Sequence, residues 1–257
     1  MSKHISYSEL KNWHTCPFQH KLMHIDKIDG FKGNEYTAFG TAIHTVCEKK
    51  LLNEEMDEDF FIGELRKNII DLDDDIEINK KLVVDMVSQG KGIIPEIDEA
   101  LVDNFSYDFE VVSTEEALYE PIEDHHKMFK GFIDAVIKTS DGKYHIIDWK
   151  TCSWGWNAKR RSEAITTYQL TLYKHFWCKK HNVDPSMAET HFALLKRTAK
   201  HDKVEFFRPT SGPRKTENAL ELLHKALKNI DAGVCVKNRM ACTAGFGCKF
   251  YKTDHCQ

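Results

Sequence analysis

Three residues carry the strongest chemical signal in this chain. Asp134 closes the run Gly131-Phe-Ile-Asp134, and fourteen residues later Asp148 opens Asp148-Trp149-Lys150. Both aspartates lie inside apolar, strand-like runs (residues 128–137 and 144–150), where acidic residues are depleted. A carboxylate buried there is costly unless it is paired or holds a cation. Asp141-Gly142, between the runs, is a hairpin-turn signal. Pairing across that turn sets Asp134 beside Asp148, and the two-residue period of a strand puts Lys150 on the face of Asp148. Two such carboxylates can hold a divalent cation, with the Trp149 backbone carbonyl as a further hard ligand. The lysine can orient a water and offset charge building on a phosphorane. That is the chemistry of a metal-dependent nuclease.

Other residues acquire meaning only beside these. Gly40-x3-His44-x3-Glu48 places an imidazole and a carboxylate one turn apart on a helix. A histidine among oxygen ligands suits Mn²⁺ as well as Mg²⁺, whereas Glu48 reads either as a residue behind the ligands or as a solvated carboxylate. Gln169-x3-Tyr173 shares one helical face, and core packing alone would explain it. Lys159, Arg160, Arg161, Lys196, Arg197, Arg208, Arg214 and Lys215 follow the motifs, with Trp154 and Trp156 just ahead of the first cluster. Basic charge beside aromatic rings suits a single nucleic-acid strand, because stacking tolerates any base.

Of eight cysteines, Cys242, Cys248 and Cys256 crowd a tail with little apolar content, and Cys16 precedes Pro17 near the start. The tail reads either as mobile with loose thiols or as ordered by a metal staple. Cys47, Cys152, Cys178 and Cys235 stand in apolar or isolated contexts and read as structural.

The elements that must position these residues follow from periodicity and punctuation. Ser6-Tyr-Ser-Glu9 is a capping-box pattern opening a helix, Pro17 fits the first turn of a second helix, and residues 36–52 form a third. Residues 60–72 and 80–105 have helical periodicity, broken at 71–77 and 90–95. Strands are expected at 107–113, 116–122, 128–137, 144–150, 189–196 and 203–208. Long helices are expected at 165–181 and 213–232. This makes an α/β (α+β) domain with a central mixed sheet flanked by helices. The 257 residues read as a single domain, with 54–105 as an acidic helical insertion and 235–257 as a Cys-rich tail packing on the N-terminal helices. The net charge of −4 hides an asymmetry: residues 54–103 carry −11 and the rest +7. The motif-bearing part is therefore basic, as a phosphate-binding surface should be. No apolar run reaches membrane-span length and no leader pattern opens the chain, so a cytoplasmic setting, in a bacterium or a phage-infected host, is expected.

In order and approximate spacing, the His44, Asp134, Asp148–Lys150 and Gln169–Tyr173 motifs resemble RecB-type nucleases of the PD-(D/E)xK superfamily. With Cys16 and the three tail cysteines, the chain is similar to the iron–sulfur branch, which includes the AddB nuclease domain and CRISPR-adaptation exonucleases. The resemblance implies a restriction-endonuclease-like core with His44, Asp134 and Asp148 as ligands of Mg²⁺ or Mn²⁺ and Lys150 as the catalytic lysine. It implies Gln169 and Tyr173 on a helix that contacts DNA or that lysine. Cys16, Cys242, Cys248 and Cys256 would bind a [4Fe–4S] cluster, with zinc as the lesser alternative because the tail spacing is wider than is usual in this branch.

The resulting expectation is a deoxyribonuclease acting on single-stranded DNA ends, in repair, recombination or phage DNA metabolism. The alternatives are a sequence-independent endonuclease and a non-cleaving DNA-binding or assembly factor. No Gly-x4-Gly-Lys-Ser/Thr loop is present, so any helicase partner would be a separate protein. The acidic block reads as a lid over the strand or as a solvated insertion.

Overall fold

The structure is a computed structural model and describes residues 3–28, 32–56, 58–245 and 247–257. Its elements run β1 (His4–Ser6), α1 (Tyr7–Thr15), α2 (Pro17–His20), a π turn (Lys21–Ile25), α3 (Glu35–Leu51), α4 (Glu58–Ile70), α5 (Lys80–Ile93) and α6 (Glu96–Phe105). There follow β2 (Phe109–Pro121), β3 (Met128–Thr139), β4 (Tyr144–Cys152), α7 (Ala158–Ser162), α8 (Ala164–His181), β5 (Ala188–Lys196), β6 (Val204–Phe207) and α9 (Pro213–Asp231). The chain forms two compact units. The smaller takes residues 1–31, 118–131 and 212–257, and the larger takes 32–117 and 132–211.

The larger unit is built on a mixed sheet. β3 runs antiparallel to β4, β4 parallel to β5, and β5 antiparallel to β6. The register of the first pair, Ala135 opposite Ile147 and Val136 opposite Ile146, continues to Asp134 opposite Asp148, as the Asp141-Gly142 turn requires. Helices cover both faces: α8 packs on β4 and β5, and α3 and α6 pack on β4 and β6. Odd-numbered residues of β4 and β5 (Ile147, Trp149, Ala193, Leu195) enter a core with Phe39, Ile43 and Val46 of α3. The even positions, Asp148 among them, are left to the other face.

The acidic block folds as α4, α5 and α6, and each gives its apolar stripe to the same core: Phe61 and Leu65, Met86 and Ile93, Leu101 and Phe105. The charges occupy the opposite faces, so the block is part of the larger unit's core. Gly90, read from sequence as a break, lies within α5, and the helix ends only before Pro95. Its role is close approach. A Cβ there would lie 2.1 Å from Cε1 of fully buried Phe61. Gly90→Ala is therefore expected to cost about 1–3 kcal/mol by overpacking. Urea unfolding checks this, and an unchanged midpoint would contradict the packing.

Two further expectations change. The strands expected at 107–113 and 116–122 are one strand, β2, kinked where Glu115 takes φ +46°. In α1, Ser6 Oγ does accept from the Glu9 N–H at 3.2 Å. The Glu9 carboxylate does not complete the box; it turns inward to meet His20 Nε2 at 2.9 Å. A buried imidazole outbids a surface cap for the carboxylate, because an unpaired buried group costs more than a lost cap.

In the smaller unit β1 runs parallel to the start of β3, and α1 packs on α9. α9 is strongly amphipathic and buries Ala219, Leu223, Ala226, Leu227 and Ile230. Among the described residues, no helix is long and apolar enough to cross a membrane.

Candidate active site

Five elements of the larger unit bring polar side chains together around the two aspartates. The β3–β4 hairpin supplies Asp134, Asp148 and Lys150, α3 supplies His44, α8 supplies Gln169 and Tyr173, and the kink of β2 supplies Glu115. Asp134 Oδ2 accepts the Trp149 N–H at 2.6 Å and lies 3.8 Å from His44 Nδ1. Asp148 is almost wholly buried; its Oδ1 accepts from Gln169 Nε2 at 2.8 Å, and Gln169 Nε2 also reaches the Tyr173 hydroxyl at 3.4 Å. Asp148 Oδ2 lies 2.5 Å from Lys150 Nζ in a close, buried ion pair. The Lys150 side chain is 31% exposed and is reachable from solvent.

Burial governs the electrostatics. It pushes Asp134 and Asp148 up to about 6 each, although Lys150 pulls both back, and the charge of each neighbouring carboxylate (Glu115 for Asp134, Asp134 for Asp148) adds to the rise. Burial, then the Lys150 charge, brings His44 down to about 4, so its imidazole is neutral and can donate a lone pair. Burial alone would lower Lys150; Asp148 and Asp134 outweigh it and keep the ammonium charged. Tyr173 is pushed up by burial and by Asp148, which holds it as the phenol.

Glu115 is the residue that sequence reading passed over. Burial, then the charges of Glu48 and Asp148, raises its carboxyl. Its left-handed backbone inside a strand is the kind of strain found at working sites. Thr114 next to it donates to Glu48 Oε1 at 3.0 Å, which ties α3 to the kink. One signal could have found it: the break between the two strand patterns at residues 114–115.

The basic residues are brought together only in part. Arg161 and Lys196 both spend their charge on Glu205, at 2.6 and 3.3 Å. Arg160 stacks over Trp156 at 4.3 Å, Lys159 sits beside it on exposed α7, and Trp154 is 77% exposed. Arg197 stacks over Tyr36 at 4.7 Å and donates to Gln89 and Ser153.

In the smaller unit Cys16, Cys242, Cys248 and Cys256 line one small cavity. Asn238 N–H donates to Cys16 Sγ at 3.4 Å and Cys248 N–H to the Cys242 carbonyl at 2.9 Å. The Cys242 thiol is raised by desolvation, then by Cys248, Cys256 and Cys16. All eight cysteines are free thiols.

The aspartate pair gives a prediction with a definite sign. A carboxyl whose folded pKa is raised binds protons more tightly folded than unfolded, so it costs stability above about pH 6 and the cost fades as pH falls toward 4. Asp148→Asn should therefore raise the thermal midpoint of the metal-free protein at pH 7.5, by the equivalent of about 1–2 kcal/mol. The gain should shrink at pH 5. A lower midpoint at pH 7.5 would contradict the burial cost.

A family model described as the PD-(D/E)XK nuclease superfamily matches residues 4–253. No protein with a curated description matches the chain. Among solved structures, a "putative exonuclease" from Eubacterium rectale superposes with a TM-score of 0.56 at 11% identity, covering 94% of this chain and 86% of that one. A second structure, SSO0001, gives a TM-score of 0.40 at 14% identity, covering 91% and 84%. At such identities the first likeness speaks for the fold alone.

Proposed function

This chain belongs to the PD-(D/E)XK nuclease superfamily, and on that premise we propose that it is a Mg²⁺- or Mn²⁺-dependent deoxyribonuclease that shortens single-stranded DNA from its ends. One observation carries the reading: Asp134 and Asp148 share Lys150 as their counter-charge, with the Glu115 carboxylate and a neutral imidazole beside them. Carboxylates held at raised pKa values lack full counter-charge, and a hard divalent cation supplies it.

The donor set fits such an ion: carboxylate oxygens, the neutral imidazole of His44 and the Trp149 carbonyl, with Asp148 Oδ2 facing the Lys150 ammonium. The bound cation would lower the pKa of a water and stabilise the leaving oxygen. The protein's own residues do the rest. Gln169 and the Trp149 N–H hold the two aspartates in place. Lys150 offers a solvent-reachable positive charge to phosphoryl oxygens as negative charge builds on them. Arg160 stacked on Trp156, with exposed Trp154, offers charge and ring faces to an unpaired strand.

The four-thiol cavity supports placement in the iron–sulfur branch, with Cys16, Cys242, Cys248 and Cys256 binding a [4Fe–4S] cluster. Digestion of linear against circular single strands tests the end requirement. Shortening of the linear strand with the circle intact supports an exonuclease. Nicking of the circle at a comparable rate would replace it with the endonuclease reading, and a helicase partner would then be unnecessary.

A further inference from the structure

We propose that His145, Glu189 and His191 form a zinc site on the sheet face opposite Asp148. The parallel pairing of β4 and β5 creates it. His145 lies opposite Glu189, Ile147 opposite His191, and period two turns His145, Glu189 and His191 to one face. His145 Nδ1 and His191 Nε2 are 3.0 Å apart, and Glu189 Oε2 is 3.9 Å from His145 Nδ1. The three ligand atoms all lie within 4.8 Å of one another. Ligand atoms on a tetrahedral zinc, at about 2.0–2.1 Å from the metal, are separated by about 3.3 Å, so little movement is needed.

The hydrogen bonds aim a lone pair into this space. Thr139 Oγ1 donates to Asp141 Oδ1 at 2.5 Å, which leaves its oxygen to accept from His145 Nε2 at 3.0 Å. The proton of His145 is thereby held on Nε2, and its unprotonated Nδ1 accepts from His191 Nε2–H; zinc would take both nitrogens with that proton moved to His191 Nδ1, the other tautomer of the neutral ring. A carboxylate-backed hydroxyl behind the far nitrogen is the kind of support that fixes a metal-binding histidine. Phe105 packs against both rings at 5.0 Å, and both imidazoles are nearly buried. Burial brings His191 down to about 3 and also lowers His145, so both are neutral at physiological pH.

Glu189 is meanwhile held by Arg208 at 2.5 Å and Lys143 at 3.5 Å. Those side chains are 60% and 42% exposed, so each can withdraw into solvent when a cation takes the carboxylate. Two imidazoles and one carboxylate with a fourth position for water suit zinc better than magnesium. No part of this rests on the nuclease reading.

The test is Zn²⁺ titration of the full-length protein by calorimetry, comparing wild type with His191→Gln and Glu189→Gln. The difference between proteins counts this site alone, whatever other zinc the chain takes. The expected result is one zinc equivalent lost or weakened in each variant, beyond the roughly 10–100-fold that loss of an outer partner costs. Co²⁺ should give a tetrahedral visible spectrum that His191→Gln abolishes. Equal stoichiometry and affinity in all three proteins would overturn the site and leave a hydrogen-bonded histidine pair. Should His191→Gln fail to fold, Glu189→Gln, at a partly exposed carboxylate, decides by the same comparison.

Discussion

Asp148→Ala and Lys150→Ala are each expected to abolish measurable cleavage while leaving the fold and DNA binding nearly intact. Asp148 is the buried carboxylate opposite Asp134, gripped by Gln169 and by Lys150. In the proposed mechanism its removal takes away one of the two hard anions that would hold a divalent cation at this hairpin. Among the described residues, Lys150 is the cation that contacts Asp148, and in the proposed mechanism its loss forfeits charge stabilisation where the phosphoryl oxygens become most negative. Removal of one such preorganised donor costs about 10²–10³ in rate. Its effect on folding should be small, because the side chain is 31% exposed. End-labelled strands digested at fixed Mg²⁺, with circular dichroism on the same samples, separate loss of chemistry from loss of fold. A variant cleaving within a few-fold of wild type would remove these residues from the active centre.

Cys248→Ser is the second large effect, in the smaller unit. Cys248 shares its cavity with Cys16, Cys242 and Cys256, in a tail that buries little beyond Phe250. Residues 235–257 make mostly turns and short 3₁₀ pieces and cannot order themselves on apolar burial. A cluster bound by four thiolates would supply that order, because metal binding is folding free energy when the site does not exist in the unfolded chain. Cys248→Ser should remove the brown colour and most of the iron of anaerobically purified protein and lower its stability by several kcal/mol. Cys235→Ser is the control, a tail cysteine outside the cavity. Unchanged metal content in Cys248→Ser would refute the staple.

How much of this was legible in the sequence depended on the range of each interaction. The hairpin was, because Asp141-Gly142 is a local signal and parity along two strands then fixes Asp134, Asp148 and Lys150. α3 and α8 were, because His44–Glu48 and Gln169–Tyr173 are one-turn spacings. Glu115 was not. It reaches the site only because β2 kinks, and no local rule places a left-handed glutamate inside a strand. The His145–His191 pair was hidden for a related reason: 46 residues separate the two, and only the parallel register of β4 and β5 joins them. The basic residues misled in part, since formal charge says nothing about Glu205, which takes up Arg161 and Lys196. The acidic block showed its charge and concealed its core, because a helix can carry many carboxylates on one face and still bury Phe61 or Leu101 on the other.

The most direct test of the central claim is cleavage of a 5′-end-labelled single strand as Mg²⁺ or Mn²⁺ is titrated, with wild type and Asp148→Ala run in parallel. The account predicts no cleavage in chelator, saturable metal-dependent shortening by wild type, and none by the variant at any metal concentration. Cleavage in chelator, or equal cleavage by Asp148→Ala, would contradict it.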